Sequence, residues 1–539
     1  MHIPIGLNEA SFEEARTNPR LWGRWVESGA SPWAPAEYRL RSSCSPTLTR
    51  FSRIHWKSGR NRWDFHWKNG QKNVFSRWKN GQNHLKAMII RKIDKFLLDF
   101  LENSTCALLL TGARQVGKTY SIRQLGKKFE SFIEINFISS PDAVRVFGGT
   151  TDTRQLLLRL SAYTGKPLIK GKTLVFFDEV QACPEIVTAI KFLVEEGSYK
   201  YILSGSLLGV ELNDLRSEPV GYLNVKEMYP LDFEEFVRFL GVSDVVMDSV
   251  REAWEKRAAV DRVVHEKLIE LFRLYLIVGG MPAVVSKYAE NNNLQLVLAE
   301  QQAIMLMYKR DITKYERDGK LRIEEIFSLI PPELNAQNKR FVLKNLNENA
   351  KFSRYEDAFL WLKNAGVALP VHNVNEPRVP LLLSRSRNLF KLFLCDVGLL
   401  CSQFSDGIQL RILSGDKSLN FGAIYENAVA QELSAHGFPL YYYNSKKRGE
   451  VDFLIENGGA VLPIEVKSGK DYARHRALCN IMDVPEYNIP EAIVLTNDNL
   501  RTEGKITYAP VYMTMFLSKA VALPVYYKPD LEGLSTGEV

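Results

Sequence analysis

Cysteine is scarce, six in 539 residues (Cys44, Cys106, Cys183, Cys395, Cys401, Cys479), and the six show neither a CxxC pair nor metal-ligand spacing. That argues against a zinc finger or a disulfide scaffold and suits a reducing cytoplasm, where each reads as a small buried hydrophobe. Long apolar runs are also missing: the best, Leu274 to Val285, is broken by Gly279, Gly280 and Pro282, short of the ~18–20 residues a membrane span needs. The N-terminal MHIPIGLNEASFEEA has no basic region followed by an apolar one, so no signal peptide is expected. Acidic residues are nearly absent from one stretch. Between Arg39 and Lys86 twelve Lys and Arg face the single acid Asp64; this segment contributes +11 against a net +8, and the remainder is slightly acidic.

What is present begins with Leu108 to Lys127, LLLTGARQVGKTYSIRQLGK. A short apolar run, then Gly112-Ala113-Arg114-Gln115-Val116-Gly117-Lys118-Thr119, fits the G-x-x-x-x-G-K-S/T phosphate loop between a strand and a helix. Its glycines let backbone N–H groups turn inward toward phosphate oxygens, and Lys118 adds a charge against the β and γ phosphates. Thr119 then offers its hydroxyl to Mg2+. At Lys172 to Gln181, KTLVFFDEVQ, four apolar residues run into Asp178-Glu179. A buried parallel strand reads this way, and ligands bind at its carboxyl end. Asp178 is placed to hold Mg2+ and Glu179 to polarise the attacking water. A third strand, Tyr201 to Ser206, ends in hydroxyls, Ser204 among them, that could sense the γ phosphate. The expected cofactors are ATP and Mg2+.

TGARQVGKT, VFFDEVQ, ILSGSLLGV, MYPLDFEEF (Met228 to Phe236) and VGGMP (Val278 to Pro282) together resemble the prokaryotic AAA-type ATPases fused to a C-terminal domain of unknown function. The resemblance covers about residues 87 to 470. It implies an α/β chain: a P-loop NTPase core with a parallel AAA-like sheet, a winged-helix-like middle and a restriction-endonuclease-like end.

Residues 1–86 stand apart. Seven of nine tryptophans lie there, and HWKNGQ at 66–71 nearly recurs as RWKNGQ at 77–82. Basic residues among aromatics could bind single-stranded nucleic acid. A second reading lays Trp56 to Gly70 without gaps on Asn444 to Gly458, a decayed and poorly ordered copy of the C-terminal domain. The core is expected over 87–241, opening with a helix over 87–101, and a helical lid over 242–320, including Val250 to Tyr275 and Leu294 to Tyr315. Arg216 and Arg310 are candidates for the cation that meets the γ phosphate. Residues 321–405 suggest a winged helix, with helices near 323–330, 341–347 and 353–366, serving DNA recognition or packing.

From 406 to 539 a further α/β domain is expected. A helix carries Glu426, and strands follow at Leu440 to Tyr443, Val451 to Ile455 and Ala460 to Val466, with a turn at Asn457-Gly458-Gly459. Residues two apart on a strand share a face, so Glu465 and Lys467 point together toward Asp452. This is the PD-(D/E)xK endonuclease-like arrangement. Asp452 and Glu465, with Glu426 from the helix, would hold a metal, and Lys467 would orient or deprotonate water. Glu450-Val451-Asp452 replaces a literal Pro-Asp. Two functions remain open: an ATPase that regulates a nuclease-like, DNA-directed domain, and a nucleotide-gated scaffold whose endonuclease-like domain has lost cleavage. The expected partners are ATP and DNA, with no membrane, and the sequence permits a homo-oligomer.

Overall fold

The computed structural model describes residues 90–147, 152–205, 221–315, 320–336, 339–348, 350–404, 407–416, 421–469, 473–520 and 526–528. The readings made for residues 1–86 therefore lie outside the described residues.

Helix α1 (Lys92–Asn103) precedes β1 (Ala107–Thr111), the phosphate loop and α2 (Lys118–Gly126). The first helix starts later than 87, because Arg91 and Asp94 close a capping box around its first turn. Strands β2 (Ser131–Asn136), β3 (Thr173–Asp178), β4 (Lys200–Ser204) and β5 (Leu223–Glu227) follow, with α3 (Thr153–Thr164) and α4 (Pro184–Glu196) between them. The sheet order is β2-β3-β4-β1-β5, and every pairing is parallel. Alternation divides each strand between two cores. Leu108, Leu110, Leu174, Phe176 and Ile202 enter one, while Leu109, Val175, Phe177, Tyr201 and Leu203 enter the other. Coverage on both faces is why these strands read as unbroken apolar runs.

Beyond β5 come α5 (Phe233–Phe239), α6 (Asp244–Glu255), α7 (Arg262–Val278), α8 (Pro282–Asn291), α9 (Leu294–Tyr315) and α10 (Lys320–Asn335). The helix expected over Val250 to Tyr275 is two helices, parted where Arg257 takes a φ of 53°. The α7–α8 pair bends by 120° at Gly279 to Met281, and no single described helix is long and apolar enough to cross a membrane. That bend joins two motifs: Leu231 N–H donates to Gly280 O at 2.7 Å. A Cβ at Gly280 would come within 2.0 Å of Leu231 O, so only glycine fits.

In the segment read as a winged helix, α10 and α11 (Phe352–Asn364) stand, but the middle helix is a single 3-10 turn, Leu343–Asn345. The Glu333 carboxylate of α10 accepts Val342 N–H and the Asn345 side-chain amide, holding this turn against that helix. The hairpin β6 (Ala368–Val374) and β7 (Arg385–Leu394) does not stand alone. It extends an eight-stranded sheet, β12 (Arg501–Glu503), β13 (Ile506–Pro510), β11 (Ala492–Thr496), β10 (Ala460–Val466), β9 (Gly449–Asn457), β8 (Tyr441–Ser445), β6 and β7 in order, through parallel pairing of β6 with β8. The boundary expected at 405/406 thus crosses one sheet. Between the hairpin and β8 lie α12 (Val397–Cys401) and α13 (Gly422–Ala435).

The rest of that sheet is an antiparallel meander, β8, β9 (Gly449–Asn457) and β10 (Ala460–Val466), followed by α14 (Arg476–Met482) and β11 (Ala492–Thr496), which lies parallel to β10. Two further strands, β12 (Arg501–Glu503) and β13 (Ile506–Pro510), complete the edge. One apolar core runs from Ile93 to Leu517, joining the first sheet, the helices and the second sheet.

Candidate functional site

The phosphate loop turns on three residues with positive φ: Gly112 at 126°, Gln115 at 65° and Gly117 at 101°. This backbone curls around the Lys118 amine, which donates to Gly112 O at 2.8 Å and Ala113 O at 2.9 Å. Lys118 is almost fully buried, and burial, opposed only in part by Glu179 and Asp178, lowers its pKa to about 8. A buried cation resting on carbonyls alone is short of negative charge. An anionic phosphate would supply it.

Asp178, at the carboxyl end of β3, is the most heavily bonded acid here. Its Oδ2 accepts the Thr119 hydroxyl at 3.1 Å and the Asn136 amide at 3.0 Å, while Oδ1 accepts the Ser204 hydroxyl at 2.5 Å and Glu179 N–H at 3.1 Å. Thr119 and Asp178, the pair expected at Mg2+, do meet. Ser204 instead faces Asp178, buried at the end of β4. Glu179 sits in the left-handed region, φ 56°, and its carboxylate accepts the Gln181 amide at 2.5 Å. ATP and Mg2+ fit these residues: the loop is a cradle around an anion-seeking amine, and a hydroxyl and a carboxylate lie beside it.

Other parts of the chain close on the same loop. Arg114, expected to contact nucleotide, pairs its side chain with Asp311 of α9 at 2.7 Å, and the Tyr308 hydroxyl donates to Arg114 O at 3.1 Å. Arg91 donates to Val116 O at 2.9 Å. The turn between α11 and β6 touches it too, since a Cβ on Gly366 would come within 2.7 Å of Ala113 N. Arg310 is exposed on α9, and Arg216 lies outside the described residues.

At the second sheet, Asp452 on β9 and Glu465 on β10 are buried beside each other. Asp452 Oδ2 accepts Val466 N–H at 2.9 Å, and Lys467 reaches Glu465 Oε1 at 2.6 Å. Burial, then the Asp452 charge, push Glu465 up to about 8. Its Oε2 is buried without a hydrogen-bond partner. That acceptor fits a cation, whereas Glu426 does not fit the metal role expected of it, because both its oxygens are taken. Lys339 holds Oε1, and Lys391 lies 3.4 Å from Oε2.

Lys391, on β7, is the residue the sequence reading missed. It has no exposed surface and also lies 2.7 Å from Glu450 Oε1 and 3.7 Å from Asp452 Oδ1. Burial opposes its charge, yet Glu426, Asp452 and Glu450 outweigh burial and raise its pKa. The signal was a lone lysine inside the apolar run Leu389-Phe390-Lys391-Leu392-Phe393-Leu394, since a buried lysine must be paired.

Sheet order, phosphate loop and acid placement are those of a P-loop NTPase-type core. Residues 104–237 match the AAA domain family. Residues 269–409 and 421–513 match two domains of unknown function, DUF8612 and DUF4143. No curated protein matches the chain. Among solved structures the chain is similar to the Walker-type ATPase PABY2304 of Pyrococcus abyssi, at 16% identity and a TM-score of 0.39, covering 58% of this chain and 95% of that one. It is also similar to the Aeropyrum pernix ORC1 protein in complex with DNA (13%, TM-score 0.23, 61% and 94% covered). CDC6P from Pyrobaculum aerophilum matches at 12%, with a TM-score of 0.21 and 60% and 92% covered. Likeness this distant says nothing about what this chain binds.

Proposed function

We propose that the protein hydrolyses ATP at the phosphate loop and uses the nucleotide state to regulate a C-terminal, DNA-directed domain of the restriction-endonuclease-like class. The observation that carries the first half is Lys118, a buried cation in a phosphate-loop cradle with no carboxylate in contact, beside Thr119, Asp178 and Glu179. Mg2+, when bound, neutralises phosphate charge, and Thr119 and Asp178 would hold it. Lys118 positions the β and γ phosphates, and Glu179 holds the attacking water and accepts its proton.

The second half is supported by the order helix, three-strand meander, helix, parallel strand, with Asp452, Glu465 and Lys467 at the meander. Asp452 and Glu465 would hold a divalent metal without Glu426, and Lys467 would orient the water. Coupling has a physical route, because Gly366 rests on the phosphate loop and leads directly into β6, which pairs with β8 of the meander.

A second reading, a nucleotide-gated scaffold with a silent endonuclease-like domain, is favoured by one observation. Lys391 lies 3.7 Å from Asp452 Oδ1 and Lys467 2.6 Å from Glu465 Oε1, so lysines already neutralise the two carboxylates a metal would use. Supercoiled plasmid incubated with Mg2+ or Mn2+, with and without ATP, separates the readings. Nicking that disappears in Asp452→Asn supports the nuclease; intact plasmid under every condition, from protein that turns over ATP, favours the scaffold.

A further inference from the structure

The segment Met228 to Phe236 does more than begin a helix, because it brings Asp232 against the far end of α13. Asp232, Glu432 and His436 each offer one ligand atom, and the three atoms lie within 4.8 Å of one another. Each carboxylate is fastened by one oxygen and leaves the other aimed at the common point. Asp232 Oδ1 accepts Glu235 N–H at 2.9 Å, as the cap of α5, and Glu432 Oε1 accepts Phe233 N–H. Asp232 Oδ2 then lies 3.6 Å and Glu432 Oε2 3.8 Å from His436 Nε2. These separations are too long for hydrogen bonds. Glu432 Oε2 and both ring nitrogens of His436 are buried and without hydrogen-bond partners, although Glu432 is only 1% exposed.

We propose that Asp232, Glu432 and His436 form a site for a divalent transition metal of the zinc type, stapling the ATPase core to the C-terminal domain. Tetrahedral bonds of ~2.0–2.1 Å place ligand atoms about 3.3 Å apart, so the two carboxylate oxygens, now 3.6 and 3.8 Å from His436 Nε2, need approach it by only a few tenths of an ångström. Imidazole with two carboxylates suits Zn2+ or Co2+ rather than Mg2+. The bonds from Glu235 N–H and Phe233 N–H fix the two carboxylate orientations, as outer contacts do at metal centres. Among the described residues, Lys92 lies against the site, 2.7 Å from Asp232 Oδ2. Its side chain is 45% exposed and also pairs with Glu234 at 2.8 Å, so it can yield Asp232 and remain paired.

The test uses the full chain, stripped with a chelator and titrated with Co2+ while visible d–d absorption is recorded. Wild type should bind one more tight Co2+ per chain than His436→Gln, and Zn2+, but not millimolar Mg2+, should displace that ion. Glu432→Gln keeps an oxygen for Phe233 N–H while losing the charge, and should bind at least about tenfold more weakly. Zn2+ should raise the thermal unfolding temperature of wild type and leave His436→Gln unmoved. Equal Co2+ stoichiometry and spectra in wild type and His436→Gln, or an equal Zn2+ shift in both, would overturn the site.

Discussion

Lys118 and Lys391 are both buried lysines beside acidic residues, yet their surroundings have opposite sign. Lys118 rests on two backbone carbonyls and is pushed down to about 8, while Lys391 is ringed by Glu426, Glu450 and Asp452 and is held above its ordinary value. Burial penalises both charges equally in kind; what differs is whether counter-charge is built in. One cation waits for an anion from outside. The other already has its anions and serves as part of the fold.

The largest effect that sharpens this contrast is on stability. Lys391→Met removes the common partner of two buried acids, Glu426 and Asp452, and of the partly buried Glu450, and should cost about 3–5 kcal/mol. Lys118→Met removes only two hydrogen bonds to carbonyls and should stay within about 1 kcal/mol of wild type. Thermal unfolding of both variants at neutral pH checks this, and equal losses would erase the distinction. Next comes nucleotide affinity. Lys118→Ala should weaken ATP binding by about 2–5 kcal/mol, roughly thirtyfold or more by calorimetry.

Opposite pH slopes follow. The free Lys118 amine loses its proton near pH 8 and the phosphate-bound amine keeps it, so ATP affinity should be level below about 8 and fall above it. Glu465 holds a proton below about 8 that a metal must displace, so Mn2+ affinity at the C-terminal cluster should rise toward pH 8 and then level. Each slope approaches about tenfold per pH unit for one linked proton. Calorimetry across pH 6.5–9.5 (about one unit or more to either side) would detect parallel slopes, and those would refute the contrast. The smallest effect is expected from deleting residues 1–86. ATP turnover should not change, since Arg91, which braces Val116 and Tyr229, is retained.

The phosphate loop was legible because its chemistry is contiguous: eight residues carry the cradle, the amine and the hydroxyl. The meander was legible for the same reason, its turn at Asn457-Gly458-Gly459 fixing the register of Ala460 against Asn457. What was not legible lies far apart in sequence. Lys339 and Lys391 reach Glu426 from 87 and 35 residues away, and Arg114 meets Asp311 across 197. Alternation showed which faces of β9 and β10 carry acids but not which cation another strand would place among them. Likewise the hairpin β6–β7 read as a separate wing, because parallel pairing of β6 with β8 leaves no local mark.

The central claim, that Lys118 and Glu179 serve ATP at an AAA-type site, is tested most directly by measuring ATP binding and Mg2+-dependent turnover together. Wild type should do both, Lys118→Ala should bind at least about thirtyfold more weakly and not turn ATP over, and Glu179→Gln should bind ATP while turning it over about 10²–10⁴-fold more slowly. Wild-type turnover by Glu179→Gln, or failure of the wild type to bind ATP, would contradict the account.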